Sequence, residues 1–133
     1  MFGKFVFLEN LSEASIDRTV SDVPIGLFLS SGIDSTVIAD MLKEHSIKSY
    51  TVSFNNSFDE SGLANITAKK LKLSNEVLPC NEENNINYVK NIDNYIDIPF
   101  ADPSYIPFLQ LCNKASEKIK VAITGDGGDE LLH

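Results

Sequence analysis

The sequence alternates short apolar segments with stretches of helical periodicity, and this alternation restricts the fold more than any other feature. Strand composition occurs at residues 23–29, 49–54, 76–78 and 121–124. Apolar residues recur at helical spacing between and around these segments. The helix candidates are residues 11–20, 35–45, 60–73, 86–96 and 108–118. Such alternation predicts an α/β fold, with a parallel sheet, right-handed crossovers and helices on both faces.

Two glycine-containing loops follow apolar strands at one edge of the predicted sheet. The first loop, residues 30–35, follows the first strand, and the second loop, residues 124–130, follows the fourth. In parallel α/β sheets, ligands bind beyond the carboxyl ends of the strands, where the strand order switches direction. The two loops are therefore predicted to face each other across one ligand.

The first loop reads Ser-Ser-Gly-Ile-Asp-Ser and leads into a helix. Gly32 leaves room for a ligand close to the backbone, and successive N–H groups at a helix start bind anions. The hydroxyls of Ser30, Ser31 and Ser35 add hydrogen-bonding groups. Asp34 supplies the carboxylate oxygen that Mg²⁺ prefers. The structural alternative, favoured if this loop stood alone, is that Asp34 or Ser35 caps an ordinary helix.

The second loop crowds three glycines and three carboxylates into a few residues. Carboxylates at this density repel one another unless a cation or fixed N–H donors stabilise them. This pattern predicts a contact with a metal and a nucleotide, and the alternative is an inert, solvated turn. Neither loop matches a Walker, dinucleotide or EF-hand pattern.

Composition narrows the possible partners and compartments. The net charge of −8 argues against binding to a nucleic-acid backbone, which requires clustered Lys and Arg. No apolar run approaches membrane-spanning length, and no secretory signal is evident, so a soluble, cytoplasmic protein is predicted. Cys80 and Cys112 lack metal-ligand spacing and are expected to be reduced packing residues.

Taken together, the two loops resemble the signatures of a known family. Residues 30–35 resemble the SGGxDS pyrophosphate loop of N-type ATP pyrophosphatases, and residues 124–130 look like the second signature of asparagine synthetases, S/T-G-E/D-G-S/G-D-E. Residues 22–26, 51–54 and 102–104 also fit, so the similarity covers roughly residues 11–133. The chain is similar to the synthetase domain of the glutamine-hydrolysing asparagine synthetase family. The implied fold is the adenine-nucleotide alpha-hydrolase-like fold of PP-loop ATP pyrophosphatases.

The resemblance implies ATP and Mg²⁺ as cofactors and assigns roles by position. Leu29 is expected to contact the adenosine and Val52 the adenine, while Asp34 and Asp129 are the expected metal ligands. Asp126, Asp129 and Glu130 are expected to position aspartate and to serve in catalysis. The implied nucleotide-binding set is Leu29, Ser30, Ser31, Gly32, Asp34, Ser35, Val52, Thr124 and Gly125.

The implied reaction is amide synthesis in two steps, through β-aspartyl-AMP and then asparagine, with ATP, aspartate and ammonia as substrates. Ammonia would come from glutamine through a glutaminase domain that this chain lacks, or from a companion chain; a homodimer is also possible. Residues 1–10 are expected to be a remnant strand, bearing Phe2, Phe5 and Phe7, and residues 11–133 a partial synthetase domain that is inactive alone.

Two positions depart from the family pattern, and alternatives stay open. Ser31 replaces the usual second glycine, and Asp126 stands where many members have Glu. The family's downstream catalytic lysine is not found in this chain. β-Lactam synthetases share both signatures, other PP-loop enzymes fit the first loop, and a non-catalytic ATP-binding fragment is the alternative from another class. A plain α/β interaction domain is the third.

Overall fold

A single parallel sheet organises the molecule. The computed structural model describes residues 2–54, 59–97, 102 and 104–128. The four strands are β1 Ile25–Phe28, β2 Lys48–Phe54, β3 Ser74–Cys80 and β4 Val121–Ile123. Their order in the sheet is β3-β2-β1-β4, and all three neighbouring pairs are parallel. The chain thus steps from β1 through β2 to β3 on one side and returns to place β4 on the other side of β1.

Helices connect these strands and cover the sheet. The helices are α1 Phe2–Asp17, α2 Ile33–Leu42, α3 Ser61–Lys70, α4 Asn85–Lys90 and α5 Tyr105–Ser116, with 3-10 turns at Glu82–Asn84 and Ile92–Asn94. α1 packs against α2, and α3 packs against β2 and β3. α5 packs against β2 and β3 and contacts α4.

The side-chain alternation of β1 divides the core into two layers. Leu27 and Leu29 point into a cluster with Ala39 and Leu42 of α2 and with residues of α3. Phe28, between them, points to the opposite face. There it meets a second cluster whose other buried members are Tyr50, Leu78, Leu111, Ala115 and Ile119. Apolar residues on both faces of β1 are what a strand needs when helices cover both sides of the sheet, so the predicted fold class is confirmed.

Four sequence predictions about the elements were wrong in detail. The segment bearing Phe2, Phe5 and Phe7 is part of α1, not a remnant strand, and this helix ends at Asp17 rather than at residue 20. The predicted helix over residues 86–96 is divided into α4 and a 3-10 turn, separated by Asn91. β3 is longer than residues 76–78 and includes Pro79, because an edge strand tolerates a missing N–H donor.

The two cysteines are free thiols in packed surroundings. Cys80 is buried and Cys112 is half-buried against the second cluster. Burial raises the pKa of both thiols above the ordinary value, because the thiolate would lose its hydration. Both therefore act as small apolar packing residues, as expected. Within the described residues, no helix combines the length and apolar character needed to cross a bilayer.

Truncating the central strand should destabilise the fold strongly. Leu27 is 0% exposed, so Leu27→Ala leaves a cavity between α2 and the sheet and should lower the free energy of unfolding by about 2–5 kcal/mol. Leu63 on α3 is 59% exposed, and Leu63→Ala should change the same quantity by less than about 0.5 kcal/mol. Urea unfolding followed by circular dichroism measures both. Equal losses in the two variants would contradict the assigned burial of β1.

Candidate functional site

The two glycine-containing loops meet at the point where the strand order reverses. The first loop follows β1 and the second follows β4, and these strands are neighbours in the sheet. Both loops line one cavity of about 610 Å³ at the carboxyl ends of the strands. The end of β2 and the start of α3 complete its walls. This is the position at which open α/β sheets bind ligands.

Serine hydroxyls fix the shape of the first loop. The Ser30 N–H donates to Ser35 Oγ at 3.2 Å, and the hydroxyls of Ser30 and Ser35 are hydrogen-bonded at 2.8 Å. The Gly32 N–H donates to Ser30 Oγ at 3.1 Å. Ser35 is only 7% exposed, so its hydroxyl is engaged chiefly inside the loop. Two of the three serines predicted to contact phosphate, Ser30 and Ser35, thus also hold the loop that would surround it.

The N-terminus of α2 is open toward the cavity. The first helical hydrogen bond is donated by the Thr36 N–H to the Gly32 carbonyl, at 3.2 Å. The N–H groups ahead of Thr36, those of Ile33, Asp34 and Ser35, precede the first intrahelical bond. No side chain caps this helix at Gly32. Backbone N–H groups and the positive end of the helix dipole therefore lie beside the cavity, which is an arrangement suited to an anion.

A tight turn forms the second loop. The Gly128 N–H donates to the Gly125 carbonyl at 3.3 Å, closing a four-residue turn. Gly127, at its third position, has φ of 89°, a conformation that side-chain-bearing residues rarely adopt. The Asp126 N–H lies 3.4 Å from Thr124 Oγ1. Asp126, the second residue of this turn, is exposed.

The two loops are in direct contact through glycines. A Cβ added at Gly125 would lie 2.5 Å from the Ser35 nitrogen and 2.7 Å from the Asp34 carbonyl carbon. One added at Gly128 would lie 2.6 Å from Asp34 Cγ. These separations are shorter than a carbon atom permits. At Gly125 the neighbours are backbone atoms, so this position requires glycine, whereas a Cβ at Gly128 would displace the Asp34 side chain. The approach places the Asp34 carboxylate against the backbone of the second loop.

Among the described residues, four carboxylates line the cavity: those of Asp34, Asp59, Glu60 and Asp126. No Lys, Arg or His is among the described residues that line it. The hydroxyl of Ser31 donates to Glu60 Oε2, which joins the first loop to the start of α3. The cavity is therefore acidic, and an anionic ligand needs a cation or the backbone N–H groups to offset the repulsion.

The Asp59 carboxylate is fixed by hydrogen bonds at the base of α3. The Ser53 hydroxyl donates to Oδ2 at 2.6 Å, and the Ser61 N–H donates to Oδ1 at 2.9 Å. These donors, the Ser53 hydroxyl first, hold the pKa of Asp59 below its ordinary value. The group therefore stays ionised at neutral pH beside the cavity. Sequence analysis did not select Asp59 or Glu60, although both lie just beyond the end of β2.

The other end of the cavity is apolar and offers strand backbone. Leu29 and Val52 lie there, beside the edge-to-face rings of Phe28 and Phe108, whose centroids are 6.0 Å apart. The Leu29 N–H donates to the Tyr50 carbonyl at 2.9 Å, and alternate residues of β2 face β1. Val52 therefore directs its N–H and C=O groups toward the side on which β1 lies. The last paired residues of β1 and β2 are Phe28 and Tyr50, so Val52 lies beyond the paired part of these strands. An aromatic ring system could meet both apolar walls and backbone hydrogen-bonding groups here.

The structure brings together all the predicted site residues that it describes. The cavity is lined by Leu29, Ser30, Ser31, Gly32, Asp34, Ser35, Val52, Thr124, Gly125 and Asp126. Asp129 and Glu130 lie outside the described residues, so the predicted metal pair of Asp34 and Asp129 stays a prediction. Over the described part of the chain, no group of three or more His, Cys, Asp or Glu side chains is arranged to hold a metal ion.

A second, smaller cavity lies behind the second loop. It has a volume of about 270 Å³ and is lined by Phe7, Leu8 and Leu11 of α1 and by Val37 and Ile38 of α2. Residues 124–128 and Asp34 border both cavities. The glycine-rich turn is therefore a thin wall, with an acidic cavity on one side and a largely apolar one on the other.

Comparison with known protein families identifies the family of this chain. The asparagine synthase family model matches residues 7–133, which includes both loops and every described strand. The chain belongs to the asparagine synthase family. Asparagine synthetase [glutamine-hydrolyzing] 1 of Bacillus subtilis is 39% identical over 115 residues, covering 84% of this chain and 18% of that protein.

Other relatives show the same partial coverage. A putative asparagine synthetase [glutamine-hydrolyzing] 2 of Methanocaldococcus jannaschii is 30% identical over 122 residues, covering 86% of this chain and 23% of that protein. The amidase chry2 of Gibberella zeae is 31% identical over 141 aligned positions, covering 92% of this chain and 21% of that protein. The chain thus spans less than a quarter of the length of these relatives.

Solved structures support the fold independently of close sequence similarity. NMN synthetase from Francisella tularensis superposes with a TM-score of 0.54 at 16% identity, covering 92% of this chain and 52% of that one. A predicted subunit of a tRNA methyltransferase from Methanocaldococcus jannaschii gives a TM-score of 0.51 at 20% identity, covering 81% and 55%. These likenesses support the predicted α/β fold, a parallel sheet covered by helices.

The contact between the loops can be tested by adding one methyl group. Gly125→Ala should force the second loop away from α2 and lower the free energy of unfolding by about 1–3 kcal/mol. Gly62→Ala is the matched control, because a Cβ at Gly62 meets no atom within 4 Å. Its unfolding free energy should be unchanged or raised by up to about 1 kcal/mol, since alanine favours helix. A Gly125→Ala chain as stable as the wild type would contradict the close approach.

The pKa of Asp59 should respond to the Ser53 hydroxyl. Ser53→Ala removes its shortest hydrogen bond, so the pKa of Asp59 should rise toward the ordinary value. A lowered pKa stabilises the fold above the ordinary pKa and this stabilisation is lost as pH falls, so the variant should lose less stability on acidification. Carboxyl ¹³C NMR titration measures the pKa. Asp102, whose pKa is lowered by Ser104, is the internal reference and should not change.

Proposed function

We propose that the chain forms the ATP-binding part of an enzyme that activates aspartate as β-aspartyl-AMP and passes it to ammonia, giving asparagine. The observation that carries this proposal is the shared cavity: the two signature loops, remote in sequence, line one cleft at the switch point of the sheet. The family match supplies the reaction class, amide synthesis at the expense of ATP. The substrates are proposed from the relatives, of which this chain covers only a part.

The cavity suits a nucleotide in size and in the polarity of its two ends. Its volume of about 610 Å³ lies within the range of small-molecule sites. The apolar end, with Leu29 and Val52, is the proposed adenine end. The opposite end, where Gly32 and the open start of α2 lie, is the proposed phosphate end. Thr124 and Gly125 would contact the nucleotide from the second loop.

The charges of the lining residues make Mg²⁺ a necessary part of this proposal. A nucleoside triphosphate is strongly anionic, and the described wall contributes carboxylates without a basic side chain. Mg²⁺ prefers carboxylate and phosphate oxygens, which fits Asp34 and, by proposal, Asp129. When bound, the ion would neutralise the phosphate charge that develops as pyrophosphate leaves. The glycine contact that holds Asp34 against the second loop would keep this ligand in place.

The residues of this chain would act by binding and orienting the substrates. An oxygen of the aspartate β-carboxylate attacks the α-phosphorus of ATP, and the bond to pyrophosphate breaks with its electron pair. Ammonia then attacks the acyl carbon, AMP leaves, and the nitrogen loses a proton. Positioning the reactants and stabilising charge suffices for both steps, without a covalent enzyme nucleophile. Asp126, Asp129 and Glu130 are proposed to position aspartate.

The proposed reaction needs a source of ammonia. Ammonia would be supplied from glutamine by a glutaminase on a further segment or a companion chain, and the protein would work in the cytoplasm. A homodimer is compatible with this arrangement. A non-catalytic ATP-binding fragment would activate no carboxylate, and a β-lactam synthetase would activate a substrate other than aspartate. Which carboxylate the protein activates is therefore the property to be measured.

Nucleotide binding is the first test. Isothermal titration calorimetry of the full chain should detect ATP binding with Mg²⁺ and lose it with EDTA. Asp34→Asn should weaken binding at least about tenfold, because a charged metal ligand is removed from the cavity wall. Asp40→Asn, on the exposed side of the same helix where Asp40 pairs with Lys43, should bind as the wild type does. Equal binding by both variants would remove Asp34 from the proposed site.

Substrate dependence is the second test. Pyrophosphate release from ATP that depends on aspartate, and not on glutamate or other amino acids, would establish aspartate activation. Mg²⁺-dependent ATP binding without any such release would assign the chain to nucleotide binding alone. An absence of ATP binding under all conditions would contradict both and leave the glycine loops as structural turns.

A further inference from the structure

A partly buried chain of polar side chains runs from α3 through the sheet to the residue that precedes the first loop. The Asn75 amide nitrogen donates to Asn65 Oδ1 at 3.1 Å, which turns the amide oxygen of Asn75 toward β2. The hydroxyls of Ser49 and Thr51 lie 2.9 and 3.1 Å from that oxygen. Thr51 Oγ1 also lies 2.8 Å from the Leu29 carbonyl oxygen.

The single proton of the Thr51 hydroxyl is shared between two acceptors, the Leu29 carbonyl oxygen and the Asn75 amide oxygen. The Leu29 oxygen is the nearer of the two, and the Asn75 amide oxygen can accept from both Ser49 and Thr51. Ser49 is 0% exposed, Thr51 3% and Leu29 2%, so water does not compete for these groups. A hydrogen bond in such surroundings is expensive to leave unmade.

The location of this bond gives it a role beyond stability. The registered pairing of β1 with β2 ends at Phe28 and Tyr50, and β1 turns into the first loop immediately after Leu29. At this point the Thr51 side chain, on the face covered by α2 and α3, bonds to the departing strand. Val52, its neighbour in sequence, lines the cavity. Thr51 therefore links β2, which carries Val52, to the last residue before the first loop, from which the chain passes to the proposed phosphate end.

We infer that Thr51, oriented by Asn75 and Asn65, is a positioning residue that fixes the first loop relative to β2 and so sets the span between the two ends of the nucleotide site. Valine has nearly the shape of threonine and lacks the hydroxyl, so Thr51→Val removes the two hydrogen bonds with little change of volume. The inference rests on the proposed function for its ligand, but its structural part can be measured without a nucleotide.

The structural measurement is amide hydrogen exchange of the full chain. Thr51→Val removes the hydroxyl and keeps the shape, and should accelerate exchange of the amides at residues 30–35 about threefold to tenfold, the effect of one lost hydrogen bond. Ile47→Val is the matched control. Ile47 is 7% exposed and belongs to the same core cluster as Leu29, but it lies just before β2, at the amino-terminal ends of the strands. It should lower global stability without selective exchange in the first loop.

The ligand measurement compares ATP with its parts. Thr51→Val should weaken Mg·ATP binding about threefold to tenfold while affecting adenosine or Mg·pyrophosphate much less, because only ATP spans both ends. Thr51→Ser, which keeps the hydroxyl, should restore both ATP affinity and loop exchange. This second variant tests the inference even if Thr51→Val fails to fold. If the amides at residues 30–35 exchanged faster in Thr51→Ser than in the wild type, the inference would be overturned.

The outcomes separate this inference from the proposed function. No ATP binding by the wild type, with selective loop exchange in Thr51→Val, would refute the proposed function and support the positioning role. Normal ATP binding by the wild type and equal loop exchange in Thr51→Val and Ile47→Val would overturn the positioning role alone. Equal weakening of adenosine, Mg·pyrophosphate and Mg·ATP would also overturn it.

Discussion

The close contact between the second loop and the start of α2 is the constraint on which the site depends. Gly125 and Gly128 lie so near Asp34 and Ser35 that no side chain fits between them. Because the two loops touch, the turns that follow β1 and β4 form one continuous wall of the cavity. The side of the cavity that carries Asp34 and Asp126 follows from this approach.

The acidic character of the chain is compatible with a nucleotide site because recognition is local. The described wall presents backbone N–H groups at the start of α2 and carboxylates from three segments of the chain. A cation between phosphate and carboxylate oxygens satisfies both sets of charges. A site of this kind needs no excess of Lys or Arg over the whole protein, unlike a surface that follows a nucleic-acid backbone.

Much of this architecture could be predicted from local sequence patterns. Apolar strands between helices indicated the parallel sheet, and glycine with polar residues directly after two strands indicated the loops. Asp59 and Glu60 were missed because residues 60–73 showed helical spacing, and nothing local revealed that the helix start borders the cavity. The remaining roles of Asp129 and Glu130 rest on the resemblance.

The errors have physical causes as well. The apolar N-terminal segment has little periodicity, and its helix is stabilised by packing on α2, a contact that sequence spacing does not show. The link from Asn65 through Asn75 to Thr51 joins α3, β3 and β2. Single polar residues inside strands look like weak strand formers until the register of the neighbours is known, so this network was invisible in the sequence.

The pairing of β4 with β1 has a consequence for how the molecule reaches its native state. Ile25 lies beside Val121, so the strands that carry the two loops come from opposite ends of the chain. Contacts between distant segments cost more loop-closure entropy and generally form slowly. During synthesis, β1, β2 and β3 can associate before β4 has left the ribosome. The cleft therefore forms only when β4 pairs with β1. Until then, the nascent chain has a β1 strand whose backbone hydrogen-bonding groups on that side are unpaired.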